Sequence, residues 1–428
     1  MTSGSAPVSG LVEHFFRHES GRLTATLLRK FGAHRLDDIE DAIQFALERA
    51  LGVWPRRGVP DAPAAWLTQV AKNRLIDRLR LEQREAPLDV DDDDDAAAAD
   101  GGVLAPAASH DDLLTLLFAC ADDRLAPRAR LVLCLKLVCG FSTEEIAVRL
   151  FMTSANVQKT LERGRQRLQD NYARVARSSS TSQTSAAQRA QLSTVQHVLY
   201  LVFNEGYSLG EGDIGLRVEL CDEAIRLTGL LAQNTIGDVS STWALLALMH
   251  FHAMRLPARL DADGRFIPLD EQDRQLWDQH HRRLAFTCIA ESSRDDHFSR
   301  FHGEAAIQVE HAMASSTSTT RWTEIVPLYE ALERMAPSPL YTLNRAIAQA
   351  EATHPQDGLD ILTSTTFPGW FRDHHLLQAT LGDLHRRQGA FDDAITHFEQ
   401  ALQTAPSTAE QAFLRRRIAE CRQQKTAP

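Results

Sequence analysis

Within SANVQKTLERGRQRL, residues 154–168, the side chains Asn156, Gln158 and Lys159 are followed at short intervals by Arg163, Arg165 and Arg167. Amide and ammonium groups carry the donors and acceptors that address base edges in a duplex groove, whereas guanidinium groups suit phosphate oxygens. The chemistry on offer is recognition of double-stranded DNA, with Ser154, Asn156, Gln158 and Lys159 toward the bases and the three arginines toward the backbone. A second set lies upstream. Trp54, Arg56, Arg57, Trp66, Lys72, Asn73, Arg74, Arg78 and Arg80 interleave aromatic and cationic side chains. That pattern suits opened DNA, because an unstacked base can lie on a ring while cations track the strand. Trp54 and Trp66 fit equally as core aromatics. A third set, Asp38, Glu40, Asp41, Gln44 and Glu48, forms an acidic, amide-bearing face suited to a protein partner.

Covalent and metal chemistry find no footing. His250, His252, His280, His281, His297, His302 and His311 fall in no HExxH or other metal-ligand spacing, and neither GxxxxGK[ST] nor GxSxG occurs. Such histidines are routine on helical surfaces. The six cysteines, at 120, 134, 139, 221, 288 and 421, form no CxxC pair, and three lie in one apolar stretch where they read as small core residues. The expectation is a reduced, cytoplasmic chain that is not an enzyme, with no metal, no cofactor and no membrane insertion.

These groups need rigid carriers. Ser142 with Glu145 three residues on makes a capping box, and Ile146, Ala147 and Leu150 then form one apolar stripe. After a turn at Phe151-Met152-Thr153, Ser154 is placed to cap a second helix with Val157, Leu161 and Leu168 on its inner side. The pair reads as a helix-turn-helix, or else as an ordinary helical hairpin with a basic face. Upstream, residues 40–50 read as a helix, Trp54 to Pro63 as a rigid basic loop, and a further helix starts near Ala64.

At 428 residues the chain is too long for one core. Its net charge of −11 opposes DNA binding until it is divided along the sequence. Residues 1–85 hold 13 basic and 11 acidic side chains, residues 86–123 hold 11 acidic and no basic ones, residues 124–177 hold 11 basic and 4 acidic, and residues 178–428 hold 22 basic and 31 acidic. Positive charge is concentrated where the helix-turn-helix lies. Period-two alternation is nearly absent, so the fold class is all-α, with a short hairpin expected only at DADGRFI, 261–267.

In this order the motifs resemble the extracytoplasmic-function class of bacterial RNA polymerase sigma factors. Glu40-Asp41 and Gln44 match that family's clamp-binding helix, with Phe45 standing where an acidic residue is usual. Trp66-Leu67, Ala71, Asn73 and Asp77-Arg78 match the helix that opens and reads the minus-ten element. Glu145-Ile146-Ala147, Leu161 and Arg163 to Arg167 match the minus-thirty-five reader, while Asn156 to Thr160 departs from the commoner run. The resemblance covers about 11–170 and implies core RNA polymerase and promoter DNA as partners. It implies sigma region 2 at 11–85, an acidic flexible linker at 86–108 and sigma region 4 at 109–177, followed by a Ser/Thr-rich joint at 178–190. In related factors the linker threads the polymerase, so Asp91 to Asp95 read either as a mimic of a nucleic-acid backbone or as a solvated spacer.

The remainder, 191–424, reads as a regulatory domain. In residues 375–406, Leu381-Gly382, Gly389, Ala394, Phe398, Ala401 and Pro406 sit at tetratricopeptide spacing, with His385 in place of the usual aromatic. A weaker copy places Leu343, Ala346, Gly358 and Leu362 at comparable offsets, and further degenerate helix pairs are expected over 190–335. Such a solenoid holds a peptide or protein segment, or docks on the two sigma domains in cis. Asn204-Glu205-Gly206-Tyr207 reads as a docking surface or ligand site, or as a helix end at Gly206 with Tyr207 packing. With DADGRF and SPLYTLNRA it resembles the subgroup carrying a C-terminal tetratricopeptide-like extension. The rival reading is a non-sigma helix-turn-helix regulator whose repeats sense a peptide.

Overall fold

The computed structural model describes residues 19–85, 110–150, 152–178, 182–208 and 217–426. The acidic linker at 86–108 lies outside them. The chain divides into two compact units, Met1–Leu201 and Val202–Pro428. Among the described residues there is no strand and no helix long and apolar enough to cross a membrane.

The first unit carries α1 (residues 19–31), α2 (Leu36–Arg57), α3 (Pro63–Glu85), α4 (His110–Cys120), α5 (Pro127–Leu133), α6 (Thr143–Arg149), α7 (Ser154–Ser178) and α8 (Ser182–Tyr207), the division falling near the end of α8. The Ser/Thr-rich stretch is thus helical from Ser182 onward. α2 buries Ile39, Ala42, Ile43, Ala46, Ala50 and Trp54 along one stripe, facing Leu67, Ala71 and Leu75 of α3 at four-residue intervals. Contrary to the expected loop from Trp54, α2 runs through Pro55 to Arg57, and the chain leaves it at Gly58 with φ 82°. A proline in the last turn forfeits only one intrahelical bond, and burial of Trp54 at 3 % exposure offsets that loss.

α5 passes into a π-helical turn, Cys134–Val138. Gly21 of α1 lies so close that a Cβ there would stand 2.2 Å from the Val138 carbonyl oxygen. Buried amides finish α4: Asn171 Nδ2 donates to Ala119 O at 2.9 Å, and Gln191 Nε2 to Phe118 O and Ala121 O, both at 2.9 Å. Carbonyls at a helix end that water cannot reach need such partners. All six cysteines are buried and free, as small core residues would be.

The second unit carries α9 (Val218–Ala232), α10 (Ser240–Met254), α11 (Gln279–Ser292), α12 (Arg300–Met313), α13 (Trp322–Met335), α14 (Pro339–Ala352), α15 (Pro355–Ser364), α16 (Gly369–Arg372), α17 (His375–Arg387), α18 (Phe391–Thr404) and α19 (Thr408–Thr426). Successive helices pack on one another, and α10 also meets α12 as α14 meets α17. α10 is apolar on nearly every side and buried accordingly. Between α10 and α11 the chain is irregular, with three 3₁₀ turns. The hairpin expected at 261–267 reduces to one antiparallel bridge, Leu260 with Phe266, turning at Gly264. Pro268 has no N–H with which to extend a ladder.

In the C-terminal helices, small residues meet bulky ones at close range. Gly382 faces Phe398, which is 1 % exposed, and a Cβ at Gly382 would stand 2.8 Å from its ring. Gly358 meets the Ala346 carbonyl in the same way, and Gly389 ends α17 at φ 78°. His385, in the usual aromatic position, stacks on His397 with centroids 5.3 Å apart.

Gly206 is inside α8, so close approach rather than helix ending explains it. A Cβ there would lie 2.7 Å from Leu220 Cβ and 2.8 Å from both Arg217 O and Cys221 N. Gly206→Ala is expected to destabilise the second unit by about 1–3 kcal/mol through displaced backbone, read as a lowered Tm; a neutral result would return Gly206 to a helix-ending role. Burial pushes His250 down to about 4 and His252 and His311 down to about 3. Neutral in the fold, these histidines protonate on unfolding below their ordinary range, so the unfolded state then binds more protons. Stability should be full above about pH 7 and fall as pH drops from about 6.5 toward the folded values of about 4 and 3, by roughly 1 kcal/mol per pH unit for each group. Thermal unfolding across that window measures it.

Candidate nucleic-acid interface

The helix-turn-helix forms as its residues dictate. Ser142 N donates to Glu145 Oε2 at 2.9 Å and Glu145 N to Ser142 Oγ at 3.1 Å, closing the capping box. Ile146, Ala147 and Leu150 are buried, as are Val157, Leu161 and Leu168 on α7. The second cap differs from expectation. Asn156 N takes Thr153 Oγ1 at 3.2 Å, so Thr153 and not Ser154 caps α7. Gly164, at the contact with α5, lets the helices close: a Cβ would stand 3.0 Å from Leu133 Cδ1.

With those positions inward, Asn156, Gln158, Lys159, Arg163 and Arg167 are exposed and Ser154 is half-buried. Asn156, Lys159 and Arg163 line a shallow cleft with Arg128, a cation at the start of α5 that the sequence reading passed over. Only its charge pointed to it, because its distance along the chain hides its place beside α7. Arg165 behaves differently. Its guanidinium binds Glu40 Oε2 at 2.7 Å and also Asp37, both on α2. Lys136 of the π-helical turn approaches the same Glu40 at 3.9 Å. Burial raises the Glu40 carboxyl above its usual range, against the opposing pull of Arg165 and Lys136.

On α2 and α3 the expected cations divide. Arg56 and Arg57 are exposed at the end of α2, and Asn73, Arg74 and Arg80 on α3. Arg78 is tied to Asp38 at 2.9 Å and Asp41 at 3.1 Å, and Arg80 to Asp77 at 3.9 Å. Arg74 lies 4.9 Å over the Phe45 ring, which gives that aromatic a role where a carboxylate was expected. Lys72 is half-buried beside Lys30. Asn73 accepts a bond from Gln69 at 2.8 Å. Trp54 is buried edge-on to Trp66, centroids 5.6 Å apart, which leaves the half-exposed Trp66 as the ring a base could reach. Asp41, Gln44 and Glu48 face solvent.

Residues 15–85 match Sigma-70 region 2, and residues 117–168 match Sigma-70, region 4. The chain belongs to the sigma-70 family. Its regions 2 and 4 followed by a helical C-terminal region are the arrangement of an extracytoplasmic-function sigma factor with an extension, acting in promoter recognition and transcription initiation. Residues 191–293 match a family of unknown function (DUF6596). An uncharacterized protein of Rhizobium meliloti (strain 1021) is 36 % identical over 402 residues, which is 92 % of this chain and 91 % of that one. No solved structure matches.

In the second unit of this sigma factor, Tyr207 packs on His252 with centroids 4.8 Å apart and on Phe203 at 5.8 Å. Glu205 lies 3.8 Å from Arg217, and Asn204 is half-buried with its carbonyl accepting from Ser208 N at 2.8 Å. Among the described residues no group of three or more His, Cys, Asp or Glu is placed to hold a metal ion.

Arg163→Ala and Arg128→Ala should each weaken binding of the holoenzyme to all promoters alike and lower the salt slope by about one ion, whereas Gln158→Ala should change base preference by roughly 1–3 kcal/mol at one position. Promoter titrations at several salt concentrations separate the two behaviours.

Proposed function

We propose that this sigma factor restrains its own DNA reader and that its C-terminal unit controls the restraint. The observation that carries the reading is Arg165, an arginine of the minus-thirty-five helix, held by Asp37 and Glu40 of the helix assigned to the polymerase clamp. In the free chain the two surfaces occupy each other. Binding of α2 to core polymerase frees Arg165 for a phosphate, so polymerase and promoter binding assist one another through one shared contact. The contact suits a reversible latch, because burying Glu40 works against its ionised form and the cations return only part of that cost.

The residue roles follow. Asp38, Glu40, Asp41, Gln44 and Glu48 serve the polymerase. Trp66 with Arg56, Arg57, Lys72, Asn73, Arg74, Arg78 and Arg80 serves the minus-ten strand, and Ser154, Asn156, Gln158, Lys159, Arg163, Arg165 and Arg167 serve the minus-thirty-five duplex. The second unit acts as a tetratricopeptide-like array taking a peptide or protein segment, and the protein works in the cytoplasm as a non-catalytic subunit. The packing of Gly382 on Phe398 and of Gly358 on Ala346 supports the repeat reading.

Asp37 is exposed and outside the polymerase set, so Asp37→Asn tests the latch without touching the rest. Losing one partner of Arg165 should raise promoter affinity of the free chain about two- to fivefold, the scale of an exposed ion pair, and core affinity by no more than the same factor; fluorescence anisotropy without polymerase reads it, and unchanged affinity removes the latch. Deleting 209–428 keeps Gln191 on α4 and should abolish transcription in a reconstituted assay. Higher activity on deletion would make the unit an inhibitor, and no change would reject control in cis.

A further inference from the structure

We propose that the second unit contains a binding site for a small oxyanion, a phosphate or a carboxylate, gathered around Arg255 at the end of α10. Arg255, Arg259 and Arg274 converge there without an ion-paired carboxylate among the described residues. Arg255 reaches only amide oxygens, Gln308 Oε1 at 3.4 Å and Gln272 Oε1 at 3.5 Å, both long for hydrogen bonds. Arg259, 9 % exposed, lies flat on the Tyr207 ring at 3.8 Å and donates to the Tyr207 carbonyl. Arg274 covers the Trp277 ring at 4.9 Å and donates to His311 O at 2.6 Å. Glu410, whose charge reaches Arg259, accepts from the Ser407 hydroxyl at 2.9 Å, and Glu304 accepts from the Tyr341 hydroxyl.

A second observation is independent of charge. Tyr207 Oη, His252 Nδ1, Trp277 Nε1 and His311 Nδ1 are all buried without a hydrogen-bond partner. Trp277 and His311 are 4 % and 5 % exposed. Tyr207 and Trp277 lie under Arg259 and Arg274, His252 packs on the Tyr207 ring, and His311 gives its backbone carbonyl to Arg274. An indole N–H can only donate, and a phenol or a neutral imidazole can donate as well. Burying such donors unpaired beside cations that repel one another is unfavourable on both counts. One ligand removes both penalties, provided it is negative and presents several acceptor oxygens.

The test uses the full-length chain, with thermal unfolding and calorimetric titration against inorganic phosphate, a dicarboxylate such as succinate, and chloride at equal ionic strength. Phosphate or succinate should raise Tm by roughly 5 °C at a hundredfold excess over Kd, beyond any effect of chloride, and whichever acts identifies the headgroup. Tyr207→Phe keeps the ring and removes only the hydroxyl, and Arg255→Gln removes the central charge. Each should weaken binding about tenfold, the worth of a charge-assisted bond, while leaving Tm in anion-free buffer equal or higher. A purely structural role would lower it. Three results would overturn the site: no anion acting beyond chloride, binding undiminished in both variants, or both variants destabilised without anion.

Discussion

Glu40 sits on a half-buried face of α2 between Arg165 and Lys136, and the first unit is organised around that meeting of charges. A carboxylate taken from water needs cations within reach, and the two available belong to region 4. Packing of region 4 on region 2 satisfies that carboxylate. Gly21 against Val138 and Arg29 with Asp112 at 2.9 Å bring the same domains together by shape and by charge. The outcome is that regions 2 and 4 meet within the first unit through charge and shape together.

The cations of the first unit show how context divides residues of one type. Arg163 and Arg167 stay in solvent, while Arg78 is drawn into an acidic pair with Asp38 and Asp41, and Arg165 into another. Arg74 escapes pairing by lying on Phe45. A guanidinium over an aromatic face keeps its donors at the edge. In the second unit the opposite holds. Arg255, Arg259 and Arg274 are brought together without an ion-paired carboxylate, beside four polar atoms without a hydrogen-bond partner among the described residues. Helical arrays tolerate buried arginines when these cap carbonyls, as Arg274 does for α12 and Arg259 for Tyr207 at the end of α8, but capping leaves Arg255 unexplained.

Periodicity and capping chemistry were legible from the residues alone. The Ser142–Glu145 box, the Ile146 and Val157 stripes and the small residues of the C-terminal helices are local patterns, set by spacings of three and four along one helix, and they determined the helical class, the helix-turn-helix and the family. Local rules also misplaced two ends: Pro55 suggested a loop where Trp54 burial keeps the helix going, and Ser154 suggested a cap that Thr153 supplies. What only the tertiary structure decided is partnership across the chain. The pairing of Arg165 with Asp37 and Glu40, the placing of Arg128 beside Arg163, the Gln191 amide on α4 and the gathering of arginines around Tyr207 join residues far apart in sequence. Hydrogen bonds and ion pairs act over a few ångströms of space, whatever the separation along the backbone, so no local spacing could announce them.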